Sequence, residues 1–221
     1  MTDEVGLAML QSVRVYDDTI PPSYATCFSG AYDGQALVHE TTDGRVVVAF
    51  RGTESLRDWM VDLLRYRVRF GPLPRGRVHA GFLRQYTDLN SQIRTYLRLT
   101  YGPTKEIIVT GHSLGGALAT LFAADIAYHI TTMTVRCYPF CSPRVGDKQF
   151  VRCINGIRNL SILRINNSYD IIPCFPRVGF VHTPAVRHLH TEGIRFFDVR
   201  KRHSIKPMYI QYMRQSDDIQ L

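Results

Sequence analysis

Apolar positions along the chain fall into short β-branched runs, separated by longer stretches in which they recur every three or four residues. Residues 45–50 (RVVVAF) form a continuous run opened by Asp43-Gly44, a dipeptide suited to a tight turn, and residues 35–40 supply a hairpin partner. Between 81 and 99, Phe82, Tyr86, Leu89, Ile93 and Leu97 follow at steps of four, three, four and four, the repeat of an amphipathic helix. Residues 106–110 (EIIVT) read as a short buried strand and 114–130 as a well-buried helix rich in Ala and Leu. A strand over 134–140, a helix over 147–154 capped by Asp147, and a strand over 160–165 follow. Strands alternating with helices predict an α/β fold: a mostly parallel central sheet with helices on both faces.

Composition narrows this without redirecting it. With 221 residues, 45% hydrophobic and 21% charged, the chain has the makeup of one globular domain spanning 1–221, and disorder and collagen-like repeats are excluded. No apolar run approaches the roughly 18 residues of a membrane span. The acidic start MTDEVGLAML is unlike a secretory signal, so a cytoplasmic protein, at most peripheral to membranes, is expected. Five cysteines without CxxC spacing read as buried free thiols rather than a zinc site or disulfide framework. Lys+Arg 27 against Asp+Glu 19 leaves +8, a balance that suits nucleic acid, anionic lipid or acidic substrates alike. No basic helix, zinc finger or RNP-like aromatic motif accompanies it, so nucleic acid is not an expected partner.

The chemistry starts between the strand EIIVT and the Ala-rich helix, at Gly111-His112-Ser113-Leu114-Gly115. This G-x-S-x-G pattern, in a strand–turn–helix context, is a nucleophile elbow: the glycines allow a turn that stands Ser113 clear of the strand end. The helix beginning there aims its free N–H groups at a developing oxyanion. A nucleophilic serine needs a base, and the base an orienting carboxylate, in the order Ser, acid, His. Asp170 follows a strand and a polar turn at the end of the sheet where α/β active sites gather, and Asp198 is the second candidate. Of the histidines after Asp170, His203 stands in a loop before a C-terminal helix (204–213) and is preferred to His182; His188 and His190 alternate along a strand.

Six stretches in order, AFRGTESLRDWMVDL (49–63), VHAGFLRQY (78–86), VTGHSLGGALATLFA (109–123), SPRVGD (142–147), INNSYDIIPCFP (165–176) and RHSIKPMY (202–209), resemble the class 3 (fungal-type) lipases of the α/β-hydrolase fold. The resemblance implies a serine ester hydrolase cleaving glycerolipid acyl esters, with Ser113, Asp170 and His203 as its triad. It places Thr53 on the oxyanion-hole position, with the Leu114 amide as the second donor. Residues 54–70 correspond to a lid in which Leu56, Trp59, Met60 and Leu63 form an apolar stripe; a helix docked permanently on the core has the same spacing. From Arg57 to Arg84 seven arginines face two aspartates, either an anchor for an anionic membrane surface or a solvated edge strand, and the latter is the simpler expectation. No metal or organic cofactor and no obligate protein partner is implied; the partner is lipid substrate at an interface. The rival reading is a catalytically idle lipase-like module that binds lipid or protein.

Overall fold

The structure, a computed structural model, describes residues 4–16, 25–32, 34–52, 66–101, 106–191 and 203–217. Among these, eight strands make the central sheet. The strands β1 (Ala25–Ser29), β2 (Gln35–Glu40) and β3 (Val46–Phe50) form an antiparallel meander, with Gly44 at φ 80° in the turn before β3. Parallel strands β6 (Glu106–His112), β7 (Thr134–Phe140), β9 (Arg164–Asn167) and β10 (Val186–Leu189) continue it in the order β1-β2-β3-β6-β7-β9-β10, with β8 (Leu160–Ile162) also on β7. A separate antiparallel hairpin joins β4 (Arg67–Arg69) to β5 (Arg77–His79).

Strand alternation sorts the core into two layers. Val46, Val48, Phe50, Ile107 and Val109 face α2 (Ala80–Thr100) and α3 (Leu114–His129), with Phe150 and Ile154 of α4 (Lys148–Asn155) in the same cluster. Val47, Ile108 and Phe140 face α1 (Glu4–Arg14) and α5 (Ile205–Asp217) on the other side. The periodic stripe of α2 is its buried face, and α3 is buried on every side from Leu114 to Ala127, as a helix between a sheet and another helix must be. No helix of the described residues is long and apolar enough to cross a membrane.

Four expectations are corrected. The strand over 160–165 is two: Leu163 N–H still reaches Cys137 O at 3.0 Å, but from Arg164 the chain passes to β10, leaving Ile165 opposite Phe140 as its last link to β7. EIIVT runs on to His112, because β7 provides partners as far as Phe140. The upper end of the 54–70 lid belongs elsewhere: Phe70 is fully buried with its ring centroid 5.8 Å from Tyr86 and 5.6 Å from Phe150, and 67–69 form β4. Leu56, Trp59, Met60 and Leu63 lie outside the described residues. All five cysteines are free, but only Cys137 and Cys141 are buried, while Cys27 and Cys174 are exposed. Helix α1 has no counterpart in the pattern analysis, because polar Gln11 and Ser12 occupy core positions beside Val5, Ala8 and Met9. Ser12 meets the Thr110 hydroxyl at 2.8 Å.

Asp125 ties the two helices of the inner layer together. Its carboxylate, on α3, accepts from Tyr86 Oη, from Asn90 Nδ2 at 3.2 Å and from Arg94 Nη1 at 3.1 Å, three α2 residues spaced one turn apart. It also lies 2.7 Å from His129 Nδ1, which shares a hydrogen bond with the Asp125 carbonyl at 3.0 Å. Asp125→Ala strands the Tyr86 hydroxyl in the core, and a loss of about 3–5 kcal/mol is expected in urea unfolding. A loss below about 1 kcal/mol would show that the cluster is solvated in practice.

Candidate active site

β6 ends at His112 and α3 begins at Leu114, so Ser113 makes the whole corner by itself, at φ 58° and ψ −124°. A side-chain-bearing residue there costs about 1–3 kcal/mol, and the surroundings must hold it in place. Ser113 N–H donates to Phe140 O at 2.9 Å, pinning the corner to the neighbouring strand end. The flanking glycines are steric necessities: a Cβ on Gly115 would lie 2.2 Å from Phe50 O, and one on Gly111 2.4 Å from Gly115 O. β3 delivers Gly52 to the same spot, where a Cβ would stand 3.4 Å from that of Ser113. Thr53, the next residue, lies outside the described residues. Leu114, at the first turn of α3, has a backbone N–H with no place in the helical ladder.

Asp170 stands three residues past β9 in a turn closed by its own N–H to Asn167 O at 3.0 Å. One carboxylate oxygen accepts from Ile172 N–H at 2.9 Å; the other meets His203 Nδ1 at 2.5 Å, with the two side chains 0% and 2% exposed. His203 arrives two residues before α5. The carboxylate fixes the imidazole so that Nδ1 carries the proton and Nε2 keeps its lone pair. Nε2 of His203 and Oγ of Ser113 are both buried without a hydrogen-bond partner among the described residues. Leaving a buried polar group unsatisfied costs about 1–3 kcal/mol, and here the cost falls on the two atoms that a serine nucleophile and its base require.

Three neighbours escaped the sequence reading. The His112 ring lies 4.5 Å from that of His203, inclined 39°, and its Nδ1 shares a hydrogen bond with Tyr16 Oη at 3.1 Å. Burial, and then the nearby His203, push the His112 pKa well below the ordinary value, so a neutral ring packs beside His203. Cys141, at φ 46°, places its thiol between Asn167 N–H at 3.3 Å and Met208 Sδ at 3.4 Å. Burial and the Asp170 charge push that thiol well above its usual range, so it stays protonated. His112, Cys141 and His203 each bring a donor atom within 4.8 Å of the others, a spacing short enough for a soft cation, but all three also serve the contacts just described. The signal for His112 was in the strand period: Ile108, Thr110 and His112 share the β6 face that looks toward α1. Nothing local announced Tyr16.

The other candidates have different surroundings. His182 Nε2 meets Pro173 O at 2.6 Å, bracing the turn after Asp170, and burial with Arg164 nearby lowers its pKa to about 4. His188 is exposed on β10, and His190 lies against Ser168 and the Tyr169 ring. Asp198 lies outside the described residues. His112 and His182 both refuse protons that an unfolded chain takes up below about pH 6.5, so stability is complete above that value and falls as pH drops. The slope is up to about 1.4 kcal/mol per pH unit for each group, continuing to about pH 4 for His182. Thermal unfolding between pH 8 and 5 is expected to show this fall, and His182→Gln, which keeps an N–H toward Pro173, to make it shallower. An unchanged slope in the variant would show that His182 titrates normally.

Comparison with known proteins agrees with this geometry. The family model described as Lipase (class 3) matches residues 47–180. The chain is 34% identical over 203 residues to a protein named phospholipase A1-II 3 from Oryza sativa subsp. japonica, covering 73% of this chain and 48% of that one. It is 33% identical over 159 residues to a lipase of Rhizomucor miehei, covering 68% and 44%. The solved structure of the Rhizomucor miehei triacylglyceride lipase superposes with a TM-score of 0.74 at 28% identity, covering 84% of this chain and 78% of that one. The chain spans about half the length of the curated relatives it matches. With the family model covering more than half of its residues, on an α/β sheet that ends in a serine elbow, the chain belongs to the class 3 lipase family.

Proposed function

We propose that the chain is a serine ester hydrolase that cleaves acyl esters of glycerolipids, with residues 1–221 acting as one lipase-like domain. The observation that carries this is the buried His203–Asp170 pair, whose outward nitrogen is unpartnered beside a serine held in a left-handed turn. In this reading Ser113 Oγ attacks the ester carbonyl while His203 Nε2 takes its proton and then hands it to the departing alcohol. Asp170 holds the imidazole tautomer and stabilises its charged form. The N–H groups of Leu114 and Thr53 receive the oxyanion, and water splits the acyl-enzyme by the same steps in reverse. Leu56, Trp59, Met60 and Leu63 of the 54–70 lid candidate, which lie outside the described residues, are proposed as the acyl-chain contacts. The names of the relatives, a phospholipase A1 and a lipase, support glycerolipid esters as the substrate class.

Hydrolysis of p-nitrophenyl esters of increasing chain length tests this. Ser113→Ala is expected to abolish turnover and labelling by a fluorophosphonate, and Asp170→Asn to lower kcat about 10⁴-fold through loss of the correct tautomer. Equal rates in wild type and Ser113→Ala would refute the mechanism and leave a lipid-binding module.

A further inference from the structure

The hairpin β4–β5 carries charge that the core has no use for. Arg67, Val68 and Arg69 are all exposed, as is Arg77 on the opposite strand, paired with Arg69 in register. Lys148, at the start of α4, lies beside them. Among the described residues none of these four cations has a carboxylate partner. Asp147, the one acid lining the recess among the described residues, is engaged in capping α4 through Phe150 N–H at 2.9 Å. Two adjoining recesses of about 470 and 440 Å³ run along the hairpin, both lined by Arg67, Arg77 and Gln149.

The guanidinium groups are held in place rather than neutralised. Arg67 Nη1 donates to Gly179 O at 2.9 Å and its guanidinium lies 5.8 Å from the Phe180 ring centre; Arg69 Nη2 donates to Pro74 O at 2.7 Å. A Cβ on Gly179, which sits at φ 77°, would come within 2.6 Å of that guanidinium, so the loop is shaped to receive it. Backbone carbonyls orient a cation without cancelling its charge, and the rest of each planar donor fork stays open for an anion. Apolar side chains rim the same patch. Val178 is 87% and Tyr66 71% exposed, with Val68 and Val181 also projecting. Arginine mixed with exposed aliphatic and aromatic tips suits the boundary between lipid headgroups and acyl chains better than water alone.

The patch is also contiguous with the candidate site along the chain. The segment after β7 leaves Cys141 beside the triad and reaches Gly146, which bridges to both Val78 of β5 and Val181. The segment after Asp170 passes through Cys174 to Gly179, and the hairpin itself follows the stretch that begins at Gly52.

We propose that these recesses bind the phosphate groups of anionic phospholipids, and that the β4–β5 hairpin with the 176–181 loop is the face laid on an acidic lipid surface. The lipid-hydrolase reading supplies only the reason for a lipid surface; the binding itself needs no catalysis, and the experiment separates the two. Ser113→Ala protein is sedimented with vesicles of phosphatidylcholine containing about 30% phosphatidylglycerol. Each removed arginine is expected to weaken binding about fivefold, so the triple Arg67→Gln/Arg69→Gln/Arg77→Gln should lose on the order of 100-fold. Arg98→Gln/Arg158→Gln/Arg214→Gln, with the same net charge, should bind like the parent. A triple Arg→Lys variant at 67, 69 and 77 guards against misfolding and should retain most binding. In Ser113-bearing protein, the Gln triple should hydrolyse a short soluble ester at the parental rate. Equal losses in both Gln triples would reduce the effect to net charge, and equal binding to neutral and acidic vesicles would refute the headgroup site. Inorganic phosphate binding at submillimolar concentration without vesicle binding would overturn the lipid assignment. Vesicle binding without any ester hydrolysis would refute the hydrolase and leave this face intact.

Discussion

The structure turns on one buried contact, Asp170 against His203. A carboxylate with no exposure is tolerable only if both oxygens are hydrogen-bonded, because the desolvation cost of an ion runs to several kcal/mol. Meeting that demand dictates the surroundings. The turn after β9 must present Ile172 N–H, the chain must bring His203 back across the sheet end, and α5 must dock where Met208 meets the Cys141 thiol. The elbow is bound into the same arrangement, since Ser113 N–H and Cys141 N–H are held by the ends of β7 and β9.

Asp125 gives the contrast that separates structure from chemistry in this molecule. It too is a buried aspartate beside a histidine, yet its two oxygens are taken up by Tyr86, Asn90 and Arg94, and the histidine faces solvent. At Asp170 the chain of hydrogen bonds stops at an imidazole nitrogen with nothing to hold. The same pair of residue types serves as a fastening in one place and, in the proposed mechanism, as a poised base in the other, and the difference lies in the buried, unengaged imidazole nitrogen of His203.

Features set by local chemistry were legible in the sequence; features set by distant neighbours were not. The α2 stripe, the Asp147 cap and the strand–turn–helix around Ser113 each depend on residues a few positions apart, and the structure has them where pattern and turn chemistry put them. Asp170 could be singled out because it follows a strand at the end of the sheet where such groups collect, and its contact with His203 spans 33 positions. By contrast, the break between β8 and β9 is decided by β10, some 20 residues later, and Phe70 is buried by Tyr86 and Phe150 rather than by its own Arg-rich surroundings. Tyr16 reaches His112 across 96 positions, a distance that no periodicity encodes.

One consequence lies in the pairing of α1 with α5. Val5, Ala8 and Met9 from the beginning of the chain pack in one cluster with Ile205, Met208 and Tyr212 from near its end, over Val47, Ile108 and Phe140 of the sheet. During synthesis, which releases roughly 5–20 residues per second, the α2–α3 side can close while the opposite face of the sheet still waits for its cover. That apolar face, and α1, stay without α5 until residues 205–217 have left the ribosome. His203 emerges just ahead of α5, so the nascent protein cannot close the buried Asp170–His203 pair before the hydrophobic seal is ready to form.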